Sequence, residues 1–222
     1  MARNTTVGAL RRGLQLSAAL VLVAAATSPL MAQASATTAA PSPQNPRRLN
    51  RTIETMEARK PVFGLATGDF SLINARSLAT SQLDFVIIDM EHNPLDFETL
   101  QRFFMGMVNT RSIAAKGFPQ MDVTPIVRLP ANGREGVQFM AKQALDVGAY
   151  GVMFPMVESR AEALNAVQSM RYPQRRGDAA MEPIGIRGSS PGNASWIWGV
   201  PDYSQRADTW PLDRQGELLT VI

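Results

Sequence analysis

The sequence predicts an α/β fold built on a parallel sheet, and two features of the chain support this prediction. Short apolar segments alternate with segments of helical periodicity, an order typical of right-handed βαβ units. The segment 85–89 is apolar without polar alternation until its last residue, as expected for a strand buried on both faces. From this spacing alone, an open doubly wound sheet and a closed barrel are equally allowed.

Each predicted strand is a short apolar run bounded by turn-forming or acidic residues. The helices follow from a periodicity of 3.6 residues and from side chains that can cap a first turn. Asp96 is predicted to cap one helix, and Ser159 with Glu162 forms a capping box for another. The predicted strands are residues 62–66, 85–89, 125–129, 151–154 and 218–222. The predicted helices are residues 52–59, 97–108, 135–147 and 160–170, together with one that ends near residue 79.

Two stretches are predicted to lack regular structure. Residues 109–123 read as a long connection that contains glycine and proline, and such connections in compact domains are often functional. Residues 172–216 are loop-rich and carry several prolines and all three tryptophans. We therefore expect no further strand between residue 154 and residue 218.

The amino-terminal residues are predicted to form an export signal. Arg11-Arg12 ends a basic region, residues 14–30 form an apolar core, and Ala32-Gln33-Ala34 offers a cleavage site of small residues. An uncleaved membrane anchor is the alternative, but a spanning helix needs about 20 strongly apolar residues and this core is interrupted. We expect a periplasmic or secreted protein with no membrane attachment after cleavage. The expected boundaries are 1–34 for the signal peptide, 35–50 for a flexible linker and 51–222 for the folded body.

Composition excludes several classes of protein. The absence of cysteine excludes disulfides, thiolate chemistry and cysteine–zinc sites. The chain has 22 Lys and Arg against 19 Asp and Glu, and three of its arginines lie in residues 1–36, which contain no acid. Subtracting those three leaves 19 basic and 19 acidic residues, so a nucleic-acid partner is not expected. Two small basic clusters in the body are predicted to be solvated faces. They are Arg47-Arg48 with Arg51, and Arg171 with Arg175-Arg176.

The strand at residues 85–89 ends in a group of side chains that can handle protons or metal ions. Asp89, Glu91 and His92 lie at its carboxyl end, where functional residues of parallel sheets collect, and His92 is the only histidine of the chain. The alternative is that Asp89 caps the following turn and His92 is a surface residue. No glycine-rich nucleotide motif follows a strand, and no G-x-S-x-G elbow is present, so nucleotide binding and serine hydrolysis are poorly supported.

Four segments, taken in order and spacing, resemble the HpcH/HpaI aldolase/citrate lyase family. They are residues 85–92, residues 125–130, residues 143–148 with 154–159, and residues 171–173 with 185–188. The resemblance runs from about residue 60 to the last residue. It implies a TIM (β/α)8 barrel, of which about the first five strands would be present in residues 51–222.

The resemblance also implies roles for three residues. Asp89 and His92 would form an acid–base dyad, and Arg128 would bind the carboxylate of the substrate. A guanidinium at a strand end can hold a carboxylate through two hydrogen bonds, and imidazole is the side chain whose charge changes nearest to neutral pH. A structural ion pair is the alternative for Arg128. Glu91 is expected to have a supporting or structural role.

The implied reaction is the cleavage of a 2-keto-3-deoxy acid to pyruvate and an aldehyde. In this family a divalent metal ion, here Mg²⁺ or Mn²⁺, holds the pyruvate enolate. Its two carboxylate ligands follow the fifth and sixth strands and are expected beyond Ile222, so no metal ligand is named. The chain as given is therefore expected to be inactive, and its open sheet edges are expected to make it poorly soluble.

Two other functions are left open. One is an acyl-CoA lyase of the citrate lyase branch, which would need a basic site for the phosphates of CoA. The other is a truncated non-catalytic fragment or an exported binding protein. The coding sequence after Ile222 would separate them, because an in-frame glutamate within a few residues favours the enzyme. For the complete enzyme, the expected partners are a small keto acid and further copies of the same chain in a homo-oligomer.

Overall fold

The computed structural model describes residues 47–130 and 137–222. The predicted signal peptide and most of the predicted linker therefore lie outside the described residues. Within the two described ranges, the longest helices have 11 residues, and none is long and apolar enough to cross a lipid bilayer.

A parallel sheet organises the described residues. Its strand order is β1-β2-β3-β4-β6-β5, and every neighbouring pair is parallel. The strands are β1 Gly64–Thr67, β2 Phe85–Asp89, β3 Thr124–Arg128, β4 Gly151–Met153, β5 Thr209–Trp210 and β6 Leu218–Val221. The five predicted strands are present, and neighbouring β1 to β4 are also consecutive in the chain, as right-handed βαβ units require.

Helices connect the strands, and side-chain caps begin several of them. Asp96 accepts hydrogen bonds from the backbone N–H groups of Glu98 and Thr99, and Ser159 accepts one from Glu162. Both predicted caps are therefore confirmed. The helices are α1 Arg51–Glu57, α2 Leu72–Ala79, α3 Phe97–Met107, α4 Thr110–Lys116, α5 Val137–Asp146, α6 Arg160–Met170, α7 Gly192–Trp198 and α8 Tyr203–Arg206.

The two stretches predicted to be irregular contain short elements. The connection 109–123 includes α4, whose first turn is capped by Asn109 and which ends at Gly117 with a φ of 61°. Residues 172–216 include α7, α8 and the two-residue strand β5. The expectation of no further strand between residues 154 and 218 was wrong, because β5 is too short for a periodic pattern and forms only by pairing with β6.

The two faces of the sheet pack against different partners. On the outer face, Val86 and Ile88 of β2 are fully buried among the connecting helices, whose Phe103 is also inaccessible. On the inner face, Ile126 and Leu219 lie in one row of the register and pack with Ile53 of α1. This inner face is apolar in its middle, so polar side chains on it are confined to the strand ends.

The folded body begins before residue 51. Leu49 and Asn50 are buried, and their N–H groups donate to the Glu217 carboxylate over 3.1 and 3.0 Å. Burial raises the pKa of Glu217 above its ordinary value. Arg48 is also buried and forms an ion pair with Glu57. The linker was thus predicted a few residues too long, and assigning Arg48 to a solvated cluster was wrong, since its carboxylate partners lie elsewhere in the chain.

Arg171 is likewise not part of a solvated face. Its side chain is 0% exposed and donates to Asp208 through Nε at 2.6 Å and Nη2 at 2.9 Å. Nη1 donates to the carbonyl oxygen of Pro183 over 2.6 Å, and Nη2 also reaches that of Ala180. Arg171 therefore anchors the segment after α6 to the residue that precedes β5, while Arg175 and Arg176 are exposed as predicted.

Candidate active site

The carboxyl ends of β2 and β3 meet at one edge of the sheet. Asp89 is the register partner of Arg128, and Arg128 is the partner of Met153 on β4. These residues lie two positions beyond the apolar row of the inner face, so their side chains share that face. The edge gathers four residues that we call the carboxyl-edge cluster. They are Asp89, Glu91, His92 and Arg128.

Arg128 is held by both carboxylates of the cluster. Its Nε and Nη2 atoms donate to Oδ1 and Oδ2 of Asp89 over 2.9 and 2.7 Å, which is a bidentate pair. Its Nη1 atom lies 3.0 Å from Oε2 of Glu91. The hydrogen bonds from Arg128 hold the pKa of Asp89 below its ordinary value, against the opposing effect of burial. Asp89 is therefore an ionised anchor for the guanidinium.

Asp89 also shapes the turn that follows β2. Its Oδ1 atom accepts the N–H of Glu91 over 3.0 Å, and its carboxylate also accepts the N–H of His92. The side chain of Asn93 closes the same turn by donating to the carbonyl oxygen of Asp89 over 2.9 Å. Asp89 therefore both caps the turn, as the alternative interpretation stated, and pairs with Arg128. His92 lies at the surface, at the end of this turn.

His92 faces Glu91 in this structure. The His92 side chain is 68% exposed, and its Nε2 atom lies 3.6 Å from Oε2 of Glu91. Among the carboxylates in the described ranges, Glu91 is the one within ion-pair distance of His92. Within residues 47–130 and 137–222, no side-chain hydrogen bond or ion pair joins Asp89 to His92. Both carboxylate oxygens of Asp89 instead accept hydrogen bonds from Arg128. The catalytic roles of Asp89 and His92 and the substrate role of Arg128 stay predictions.

Glu91 was expected to have a supporting or structural role, but its contacts with Arg128 and His92 were not predicted. The available signal was its position two residues after Asp89, beyond the end of a buried strand. The sequence could not show that one oxygen of Glu91 would lie near both Arg128 and His92, because those contacts depend on the β2–β3 register.

The cluster does not fit a divalent metal ion. Mg²⁺ needs near-octahedral oxygen coordination, whereas both oxygens of Asp89 and one of Glu91 are paired with Arg128. In residues 47–130 and 137–222, no group of three or more His, Cys, Asp or Glu side chains is placed to hold a metal ion. We therefore assign no metal ligand and derive no chemical step through a metal at this cluster.

The cluster can bind a carboxylate and move a proton. The three contacts of Arg128 use one N–H of each guanidinium nitrogen, and each Nη atom carries a second N–H that can point toward a ligand. The exposed imidazole of His92 can accept or donate a proton beside that ligand. The chemistry available is thus anchoring of an acid by Arg128 and general acid–base catalysis by His92.

An apolar cavity lies behind the cluster, on the other side of β3. Its volume is about 260 Å³, and it is lined by Leu129, Phe154 and residues of α5 and α6 such as Val137 and Ala166. Leu129 and Arg128 are consecutive in an extended segment, so their side chains point to opposite faces. None of the four residues of the carboxyl-edge cluster lines this cavity.

The arginine of the Gly185–Gly188 segment is a structural residue. Arg187 is buried, donates through Nη2 to Asp146 over 2.9 Å and to the hydroxyl of Tyr203 over 3.0 Å, and stacks over the ring of Tyr172. Burial raises the pKa of Asp146 above its ordinary value. This arrangement joins the end of α5 to α8, in the helical layer, and contributes no group to the cluster.

A parallel βα sheet that gathers acidic, basic and imidazole side chains at its carboxyl edge resembles part of a (β/α)8 barrel, in which functional residues collect at that edge. The model of the HpcH/HpaI aldolase/citrate lyase family matches residues 69–189, more than half of the chain. The chain belongs to this family, which confirms the family and the α/β fold class predicted from the sequence. The matched residues contain the whole carboxyl-edge cluster.

Individual relatives are named as aldolases. The chain is 36% identical over 157 residues to a 4-hydroxy-2-oxo-heptane-1,7-dioate aldolase of Salmonella paratyphi C (strain RKS4594), covering 70% of this chain and 51% of the relative. It is 31% identical over 160 residues to a 5-keto-4-deoxy-D-glucarate aldolase of Enterobacter sp. (strain 638), covering 72% and 53%. The chain thus spans about half the length of these relatives.

A solved structure supports the same fold. A HpcH/HpaI aldolase/citrate lyase family protein from Burkholderia cenocepacia J2315 superposes with a TM-score of 0.56 at 28% sequence identity. The match covers 77% of this chain and 58% of that chain. The fold of this chain is therefore similar to that of a solved member of the family over the matched part.

Proposed function

We propose that this protein is a carbon–carbon lyase that cleaves a 2-keto-3-deoxy acid to pyruvate and an aldehyde. The observation that carries the proposal is the position of Arg128, held by Asp89 and Glu91 at the sheet edge beside the exposed His92. The relatives named for keto-acid aldolases support this choice of substrate class. The cluster lies in the part of the chain that those relatives share.

Each residue of the carboxyl-edge cluster would have a different role in the cleavage reaction. Arg128 binds the substrate carboxylate through N–H groups of its two Nη atoms, while Nε and one N–H of Nη2 stay on Asp89. His92 accepts the proton of the C4 hydroxyl, and the C3–C4 bond breaks as the aldehyde carbonyl forms. The bonding electrons form the enolate of pyruvate, which takes up a proton at C3. Asp89 keeps the guanidinium in place during these steps.

The Arg128→Lys variant is expected to bind pyruvate at least tenfold more weakly than the parent chain. An ammonium group cannot keep the two-oxygen pair with Asp89 and also present planar N–H donors to a ligand. Isothermal titration calorimetry with pyruvate measures the difference. The matched control is Arg102→Lys, because Arg102 pairs with Glu98 on the exposed face of α3. Equal pyruvate affinity of Arg128→Lys and the control would contradict the substrate role.

The 222-residue chain is expected to give no pyruvate release when Mg²⁺ or Mn²⁺ is added. A divalent ion remains the proposed cofactor, but the cluster does not offer its donor set. The assay follows pyruvate formed from 2-keto-3-deoxy acids. Metal-dependent cleavage by this chain would contradict the expected inactivity, although it would support the assignment as a lyase. Where the reading frame continues, the longer protein should cleave these acids. His92→Ala should then lower its turnover by roughly 10²–10⁴-fold, whereas a keto-acid-binding protein would show no turnover to lose.

We also propose that the protein is exported and that the mature chain begins near residue 35 or 37. The support is the order of basic residues, apolar core and small residues in 1–36. Amino-terminal sequencing of the protein from its native host checks this. An intact Met1 on a cytoplasmic protein would contradict it.

The proposed partners are a small keto acid and further copies of this chain. Several large apolar side chains in the described ranges are more than half exposed, as expected for a subunit of an assembly. They are Phe63, Ile73, Met105, Phe139, Met156 and Trp196. The formally neutral body gives no support to a nucleic-acid partner.

A further inference from the structure

The two carboxylates that hold Arg128 do so unequally. Asp89 accepts two parallel hydrogen bonds from the guanidinium and one from the N–H of Glu91, so three donor atoms fix its position. Glu91 makes one contact, from Oε2 to Nη1 over 3.0 Å. The same Oε2 atom lies 3.6 Å from Nε2 of His92. Glu91 is therefore the partner of Arg128 that a ligand can displace with the smaller loss of hydrogen bonds.

We propose that Glu91 is a positioning residue that exchanges partners when a carboxylate ligand binds. The ligand takes the place of Glu91 at Nη1 of Arg128, and the released carboxylate of Glu91 turns fully to His92. The exchange couples occupation of the arginine to the placement of the imidazole. It rests on the proposed function in that the ligand is a pyruvate-type acid.

Charge makes this exchange favourable. Asp89, Glu91 and Arg128 carry one net negative charge together, so a third carboxylate is repelled while Glu91 stays on the arginine. Withdrawal of Glu91 toward His92 lowers that repulsion and vacates a donor for the ligand. His92 is largely exposed, so its ring can turn to meet the carboxylate without disturbing packed neighbours.

In this structure, Oε2 of Glu91 pairs closely with Arg128 but not with His92. At 3.0 Å from Nη1 and 3.6 Å from Nε2, Oε2 of Glu91 is within hydrogen-bond reach of the arginine but too far for a hydrogen bond to the imidazole. The ligand-free arrangement thus leaves His92 loosely placed. A bound carboxylate brings the imidazole to a fixed position next to the substrate, where a general acid–base must lie.

Pyruvate titration of the chain and its Glu91→Gln variant tests the exchange. His92 is the only histidine, so the ring signals in a nuclear magnetic resonance spectrum of an untagged protein report on this residue alone. We expect Glu91→Gln to bind pyruvate roughly twofold to fivefold more tightly, the range that a partly exposed ion pair covers. We expect pyruvate to change the chemical shifts of the His92 ring in the parent chain and to change them much less in the variant.

Two further variants provide the controls. Glu98→Gln removes a carboxylate from an exposed ion pair on α3 and should bind pyruvate as the parent chain does. Asp89→Asn loses the two-oxygen pair and should bind pyruvate more weakly, which is the opposite sign to Glu91→Gln. If Glu91→Gln does not fold, Glu91→Asp replaces it, because the shorter side chain withdraws from Nη1; since it keeps its charge, a smaller tightening is expected.

Equal or weaker pyruvate binding by the folded Glu91 variant, or an unchanged movement of the His92 signals, overturns the exchange. Acetate, which has a carboxylate but no keto group, separates this result from the proposed function. Equal affinity for acetate and pyruvate, with the Glu91 effect kept, would count against the aldolase and leave the exchange standing. A preference for pyruvate without the Glu91 effect would support the aldolase and refute the exchange.

Discussion

Replacing Trp198 by alanine is expected to lower the free energy of unfolding by about 3–5 kcal/mol. The Trp198 side chain is 0% exposed and stacks on the ring of Tyr150 with a centroid distance of 4.1 Å. Its other side meets the edge of Tyr203, and its Nε1 atom donates to the carbonyl oxygen of Gly148 over 3.0 Å. Truncation would leave a large cavity and an unpaired carbonyl oxygen between α5, α7 and α8.

Trp196 offers a matched control on the same helix. It is 79% exposed, so Trp196→Ala is expected to change the free energy of unfolding by about 0.5 kcal/mol or less. Urea denaturation followed by far-ultraviolet circular dichroism measures both variants without relying on tryptophan fluorescence. Similar losses for the two variants would show that the α7 face is not packed as described.

The second large effect is expected for Arg171→Ala, with a loss of about 3–5 kcal/mol of unfolding free energy. The change would strip the carboxylate of Asp208 of both of its guanidinium hydrogen bonds. It would also remove the donors that the carbonyl oxygens of Ala180 and Pro183 accept from. The effect is expected to be large because the fully buried Arg171 donates to four acceptor atoms, and removal of its side chain leaves the two carbonyl oxygens and the half-buried Asp208 without these donors.

Arg176→Ala is the control for Arg171→Ala. Arg176 belongs to the same group of basic residues in the sequence but is exposed, so its loss should be nearly neutral. The comparison is made by chemical denaturation at the same pH and ionic strength. A mild effect of Arg171→Ala, equal to that of Arg176→Ala, would mean that the segment after α6 does not depend on this anchor.

Local patterns in the sequence were sufficient for the main elements of the fold. The strand β2 has the bounds that its apolar run predicted, and Asp96 and Ser159 cap the helices that they were expected to cap. These features depend on residues within a few positions of one another. The parallel direction of neighbouring strands follows from the same spacing, because the helix between two strands returns the chain to the edge where the first strand began. Such strand–helix–strand units are almost always right-handed.

Short secondary-structure elements and the burial of charged residues could not be predicted from the sequence. The strand β5 has two residues and forms through its pairing with β6, so the sequence shows no strand-like periodicity at this position. Arg171 looked like its exposed neighbours because its partner Asp208 is 37 positions away. The burial of a charged residue is decided by such distant partners, which a linear pattern of charges does not display.

For the candidate site, the sequence by itself determined which residues could act. Asp89, His92 and Arg128 were identified from their positions at the ends of predicted strands and from a family resemblance. The tertiary structure alone decided how they pair: the register sets Asp89 beside Arg128, and the turn after β2 places Glu91 between Arg128 and His92. Pairing depends on distances of a few ångströms between side chains on different strands, and these distances are fixed only when the sheet is assembled.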